Sequence, residues 1–184
     1  MKQAALLLAL ACAVPTAARA HEGKVLRSLY LEASADQLVV LAHLSVRGED
    51  RQQALRGHVD LNRDGKLDAK EKAGLQELLA TRALAGLVLE IDGRPVSVEN
   101  MQAKLLLPEE EGPYELATHG TVPLPAAAKT IELRTAPDAE PLTLRLVPGK
   151  RRLVSKRGKL VAKGMREIEV GPGDSVVIEL STAQ

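Results

Sequence analysis

Leu38-Val39-Val40-Leu41-Ala42-His43-Leu44-Ser45-Val46 places Leu38, Val40, Ala42, Leu44 and Val46 at every second position. Successive side chains of a strand point to opposite faces, so the stretch reads as a strand with its apolar side on a core. Lys24 to Glu32 is a second run of β type, and Ala33-Ser34-Ala35-Asp36-Gln37 between the two makes them a hairpin. Downstream the period changes. Asp50 to Val59 has one Gly and no Pro and reads as a short helix, with Asp50 as N-cap and Gln53 three residues on. Ala69 to Ala85 carries Leu75, Leu78, Leu79 and Arg82 at helical spacing, and Gly86 is placed to end it. From Leu87 the β pattern returns. Leu87 to Ile91 and Val96 to Leu107 flank Asp92-Gly93, a dipeptide suited to a type I′ turn. Further strands are expected at 114–121, 129–135, 141–147, 152–163 and 165–180, where Ile131 with Leu133, Leu142 with Leu144 and Leu146, and Val176 with Ile178 and Leu180 keep the period of two. The expected fold is mainly β with an α insertion: an antiparallel β-sandwich-like domain carrying one helix–loop–helix at about 49–86.

The amino terminus has the marks of an export signal. Lys2 supplies a positive charge, Ala4 to Val14 is almost unbroken apolar sequence, and Ala18-Arg19-Ala20 is a small-x-small cleavage pattern. Residues 1–20 are therefore read as a signal peptide and 21–184 as one mature domain, periplasmic or secreted. The apolar run is about half the roughly 20 residues that cross a bilayer, and no later stretch approaches that length. Ala9-Leu10-Ala11 before Cys12 lack the leucine expected three places upstream of the cysteine in a lipoprotein signal. Without Cys12 the mature chain has no cysteine, which excludes disulfides, thiol nucleophiles and thiolate metal sites. The 25 basic residues become 23 once Lys2 and Arg19 are removed, against 24 acidic ones, so bulk charge favours neither nucleic acid nor a membrane. With no Trp or Phe and with Tyr30 and Tyr114 as the only aromatics, the core must be aliphatic, and stacking platforms for bases or sugars are missing. No nucleophile elbow, phosphate loop or paired His–Glu metal motif occurs, so an enzyme is not expected.

Between the helices lies Asp60-Leu61-Asn62-Arg63-Asp64-Gly65-Lys66-Leu67-Asp68-Ala69-Lys70-Glu71. These twelve residues resemble the calcium loop of the EF-hand superfamily at each diagnostic place. The resemblance implies a calcium ion held by Asp60, Asn62 and Asp64 through their side chains, and by Lys66 through its backbone carbonyl alone. Asp68, at the ninth place, would ligate directly or through water, and Glu71 would close the site with two oxygens. Gly65 stands at the sharp turn, where a positive φ is needed. Asp68 also suits the N-cap of the second helix, with Glu71 as its capping-box partner. Leu67 matches the apolar residue that joins paired hands. No second loop exists in this chain, so Leu67 must pair with another chain, a degenerate segment or the β-domain. The bland alternative, an acidic turn between helices, would not require Gly65, Leu67 and Glu71 at these offsets. A lone hand flanked by Arg63, Lys66, Lys70 and Lys72 is expected to bind calcium in the roughly 0.1–1 mM range of extracellular modules.

Two weaker constellations remain. His21, exposed as a new N-terminus by cleavage, could chelate copper with His43 or His119. That would make the chain a periplasmic metal-handling protein, although His43 reads simply as a polar-face strand residue and His119 as a loop residue. Lys150, Arg151, Arg152, Lys156, Arg157, Lys159, Lys163 and Arg166 form a run without a carboxylate, either the solvated side of a hairpin turning near Arg157-Gly158 or a docking surface for an anionic surface or protein partner. Glu109-Glu110-Glu111 reads as a solvated turn.

Overall fold

A computed structural model describes residues 24–108, 112–162 and 165–182. The expected signal peptide, His21, Lys163 and the expected turn at Glu109-Glu110-Glu111 lie outside the described residues.

The hairpin at the start is present: β1 (Val25–Ala33) pairs with β2 (Gln37–Val46) from Val25↔Val46 to Ala33↔Leu38. Then come α1 (Glu49–Val59), α2 (Ala69–Leu84), β3 (Leu87–Ile91), β4 (Arg94–Val96), β5 (Glu99–Leu106), β6 (Tyr114–Pro123) and β7 (Thr130–Thr135). The chain ends with β8 (Leu142–Val147), β9 (Arg151–Val154), β10 (Lys159–Ala162), β11 (Met165–Val170) and β12 (Ser175–Thr182). The domain is mainly β with a helical insertion between β2 and β3, as the periodicity predicts.

The strands form two wings. One runs β10-β11-β8-β1-β2-β6-β5 and the other β9-β12-β7-β3-β4. They are joined at a single residue pair, Ala33 of β1 with Arg151 of β9, so the sheet curls over itself. Pairing is antiparallel except between β1 and β8, which run parallel from Ser28↔Thr143 to Glu32↔Val147. Inside the curl, Leu31, Leu38, Leu44, Leu116, Leu144 and Ile168 from one wing share a core with Ile131, Leu133 and Ile178 from the other. Each comes from the alternating positions of its strand, and burying one such side chain contributes about 1.5–3 kcal/mol.

Four expectations need correction. The run 96–107 is two strands, β4 ending at Val96 and β5 beginning at Glu99, and within β5 Asn100 takes a positive φ of 53° where the β5–β6 register slips between Glu99 and Gln102. The run 165–180 is broken by a turn in which Asp174 accepts from Gly171 N at 3.1 Å and Gly173 has a φ of 73°. The hairpin expected near Arg157-Gly158 does not form: β9 pairs with β12 in one wing and β10 with β11 in the other. His119 stands within β6 rather than in a loop. The Asp92-Gly93 turn is as expected, with both residues at positive φ (48° and 74°). Asp92 Oδ1 also accepts from Thr130 N at 2.9 Å and Lys129 N at 3.0 Å, bonds that hold its carboxyl below the usual carboxylate range. Among the described residues no helix is long and apolar enough to cross a membrane.

Candidate calcium loop

The two helices are held onto the sheet by side chains the loop itself does not use. α1 starts one residue earlier than expected, with Gly48 as N-cap and no side-chain cap; Asp50 falls in the first turn, where its charge suits the helix dipole. Gln52 Nε2 donates to Val46 O (3.0 Å) and Gly112 O (2.8 Å), Leu55 is buried, and the Arg56 guanidinium lies 5.9 Å from the Tyr114 ring centroid. Burial raises the Tyr114 hydroxyl above the usual phenol range.

α2 buries Glu71, Leu75, Leu79 and Ala83, whereas Leu78 is exposed. Gln76 Oε1 accepts from Leu105 N of β5 at 3.2 Å. The other end of α2 meets Arg27 of β1, whose guanidinium donates to Ala83 O (3.1 Å), Ala85 O (2.8 Å) and Glu140 O (3.0 Å). Burial lowers the Arg27 pKa, and the neighbouring Glu140 carboxylate opposes that shift. Arg82 pairs with Glu140 beside it. Sequence periodicity did not single out Arg27 or Gln52, because nothing local marks a polar strand residue that meets a helix end 56 positions away.

Within the loop the residues stand as follows. Asp60 is the C-cap of α1, its N–H donating to Arg56 O at 2.8 Å. Its Oδ2 accepts from Gly65 N at 3.0 Å, bending the first half of the loop back on itself, and Gly65 has the positive φ (76°) that its place requires. Asn62 Oδ1 accepts from Asp64 N (2.9 Å) and Asp64 Oδ1 from Lys66 N (2.7 Å), two successive side-chain turns. Arg63 between them takes a φ of 59°, a conformation that costs a non-glycine residue about 1–2 kcal/mol. Asp68 caps α2 by accepting from Glu71 N at 2.8 Å, and Glu71 Oε2 accepts from Asp68 N at 3.0 Å, the reciprocal capping box. Glu71 is 4% exposed, and its Oε1 accepts from Leu61 N (2.9 Å) across the loop. Leu67 is partly buried and packs against the hydrophobic core.

Two features bear on an ion. Asp60 Oδ1 is enclosed by protein and has no hydrogen-bond partner, although a desolvated carboxylate oxygen is costly without a donor or a cation. Against this, no group of three His, Cys, Asp or Glu side chains among the described residues is gathered so as to hold a metal. The loop carboxylates face loop amides instead, and Asp60 and Glu71 hold opposite ends of the loop to those amides.

The remaining candidates are less organised. His43 Nε2 lies 3.8 Å from Glu115 Oε2, and His119 pairs with Leu41, two places along β2 from His43. His21, on which the copper reading turns, lies outside the described residues. No protein-family model matches the chain, and no curated protein matches it either.

Proposed function

We propose that the chain is an exported calcium-binding protein, not an enzyme, in which one EF-hand loop stabilises a β-rich structural or interaction module. The observation that carries this reading is the twelve-residue loop with Asp60 Oδ1 enclosed and unpartnered at its first ligand place. Asp60, Asn62, Asp64 and Glu71 would hold the ion by side-chain oxygens, Lys66 by its carbonyl, and Asp68 directly or through water. Calcium takes 6 to 8 oxygens, which this donor set and one or two waters can supply. To close on the ion, Glu71 would give up its bond to Leu61 N, so part of the binding energy replaces existing hydrogen bonds. That exchange supports weak, extracellular-type affinity over tight buffering. A calmodulin-like switch is disfavoured: the mature chain has only Met101 and Met165, both outside the helical insertion.

The expected result is modest stabilisation. Calcium at about ten times its Kd adds roughly 1.4 kcal/mol to a native state that alone binds it. For a chain of this length the melting temperature should rise by about 3–6 °C over the chelated form, with the β-type circular dichroism kept in both. Loss of the β signal on chelation would make the insertion a condition of folding, and an unmoved melt in millimolar calcium would leave the loop without a site.

A second reading, docking of an anionic partner by the basic run, draws support from only part of it. Arg151 is buried and donates to Pro125 O at 2.9 Å, Arg157 pairs with Asp174 at 3.2 Å, and Lys159 pairs with Glu167 at 3.5 Å. Lys150, Arg152 and Lys156 are exposed, and their side chains make no hydrogen bond or ion pair among the described residues. Retention on an anionic matrix should therefore fall when these three are changed to Ser. Loss on changing Arg157 and Lys159 instead would move the surface elsewhere.

A further inference from the structure

Where the chain passes from β9 in one wing to β10 in the other, part of the core-facing side of the sheet is left exposed. Arg166, Ile168 and Val170 alternate along β11 on one side, and Ile168 and Val170 are buried. Leu160 pairs directly with Arg166 and therefore shares that side, yet it is 68% exposed. The second wing does not reach over it. Val147, Arg152, Leu153, Val154, Leu160 and Arg166 line an open cleft of about 340 Å³ at this corner. A volume of this size falls at the small end of the roughly 300–1,000 Å³ of small-molecule sites, which are apolar with a few placed polar groups.

We propose that this cleft binds a single-chain amphiphile with an anionic head group, a medium-length fatty acid being the simplest case. The chain would lie against Leu153 and Leu160, the two apolar lining residues on the core-facing sides of their strands, and the head group would meet Arg152 at the edge of the cleft, which Arg166 also lines. The inference rests on the docking reading and names its ligand. Charge selects the occupant: from Pro148 to Arg166 the sequence has no carboxylate, and the exposed Arg152 side chain makes no hydrogen bond or ion pair among the described residues. Arg166 Nη1 is already used, donating to Arg157 O and Gly158 O at 3.1 Å each, so it frames the cleft and Arg152 is the free guanidinium. A guanidinium meets a carboxylate or phosphate with two parallel bonds, and beside an apolar wall that pair is less screened by water.

Decanoate below its micelle concentration, titrated calorimetrically into residues 21–184 with EDTA present, keeps the test separate from calcium. One molecule should bind, octanoate should bind more weakly by about fourfold for each methylene removed, and decyltrimethylammonium should not compete. Arg152→Gln should weaken decanoate at least about tenfold, and Leu160→Asp should remove binding with unchanged circular dichroism. Decyltrimethylammonium binding as tightly as decanoate would overturn the head-group assignment. Absence of decanoate binding, with salt-sensitive retention on an anionic matrix intact, would reject the amphiphile and leave the docking surface standing. If phosphatidylglycerol vesicles alone bound, or if Leu160→Asp merely split a dimer, the face would belong to a membrane or to a second copy, and the cleft would not be a monomer site.

Discussion

Replacing Arg27 with Met is expected to lower the melting temperature by roughly 6–12 °C, about 3 kcal/mol, in calcium or in EDTA alike. Arg27 is 5% exposed, and its guanidinium donates to three carbonyls, two of them at the carboxyl end of α2. Those carbonyls have no partner within the helix, and the helix dipole makes a cation favourable there. Met fills much of the space of the stem but offers no donor, so buried oxygens lose their partners at about 1–3 kcal/mol each, partly recovered by relaxation. Exposed Arg47, changed to Met, should move the melt by less than about 0.5 kcal/mol and serves as control. A melt of Arg27→Met that coincides with this control would mean that the α2 terminus is satisfied by water and that the helix is docked by Leu75 and Leu79 alone.

Glu71→Gln is expected to weaken calcium by at least about tenfold, or roughly 1.4 kcal/mol. On the proposed ligand set, the amide would keep the shape and one acceptor but lose the charge that would draw the ion and the two-oxygen grip. The structure adds a second effect. Both Glu71 oxygens accept backbone N–H groups, from Leu61 and Asp68, and once the carboxylate is an amide one of the two positions becomes a donor facing a donor. The calcium-free protein should therefore also melt earlier, by about 1–3 kcal/mol of lost stability. Calorimetric titration reads the first effect and a melt in EDTA the second. Unchanged calcium affinity would remove Glu71 from the ligand set, whereas an unchanged melt in EDTA would mean that the amide bonds hold the loop only weakly.

The elements were legible where the pattern is local and long. Leu38 to Val46 alternates over nine residues with no interruption, and β2 is the strand it implies. Asp92-Gly93 specifies its turn because both residues tolerate positive φ, and Asp68 with Glu71 specifies its cap because the two side chains answer each other's amides. Errors fell where a strand ends for a reason outside its own residues. Leu153 and Leu160 read as one run, yet they belong to different wings because each found a different partner, Leu180 for one and Arg166 for the other. Asp50 has the side chain of an N-cap, but the chain leaving β2 brings Gly48 to that position first.

By itself the sequence determined the strand and helix periods, the aliphatic core, the turn at Asp92-Gly93 and the spacing of oxygen donors from Asp60 to Glu71. These depend on backbone geometry over a few residues, which side chains control directly. Only the tertiary structure decided that β1 runs parallel to β8, that Leu67 packs on the core, that Arg27 closes α2, and that Arg151, Arg157, Lys159 and Arg166 of the basic run are paired while Leu160 stands open beside Arg152. Each of these joins residues far apart in the chain. Their free energy comes from burial and from satisfying buried polar groups at that meeting, and no local pattern encodes which distant partner will supply it.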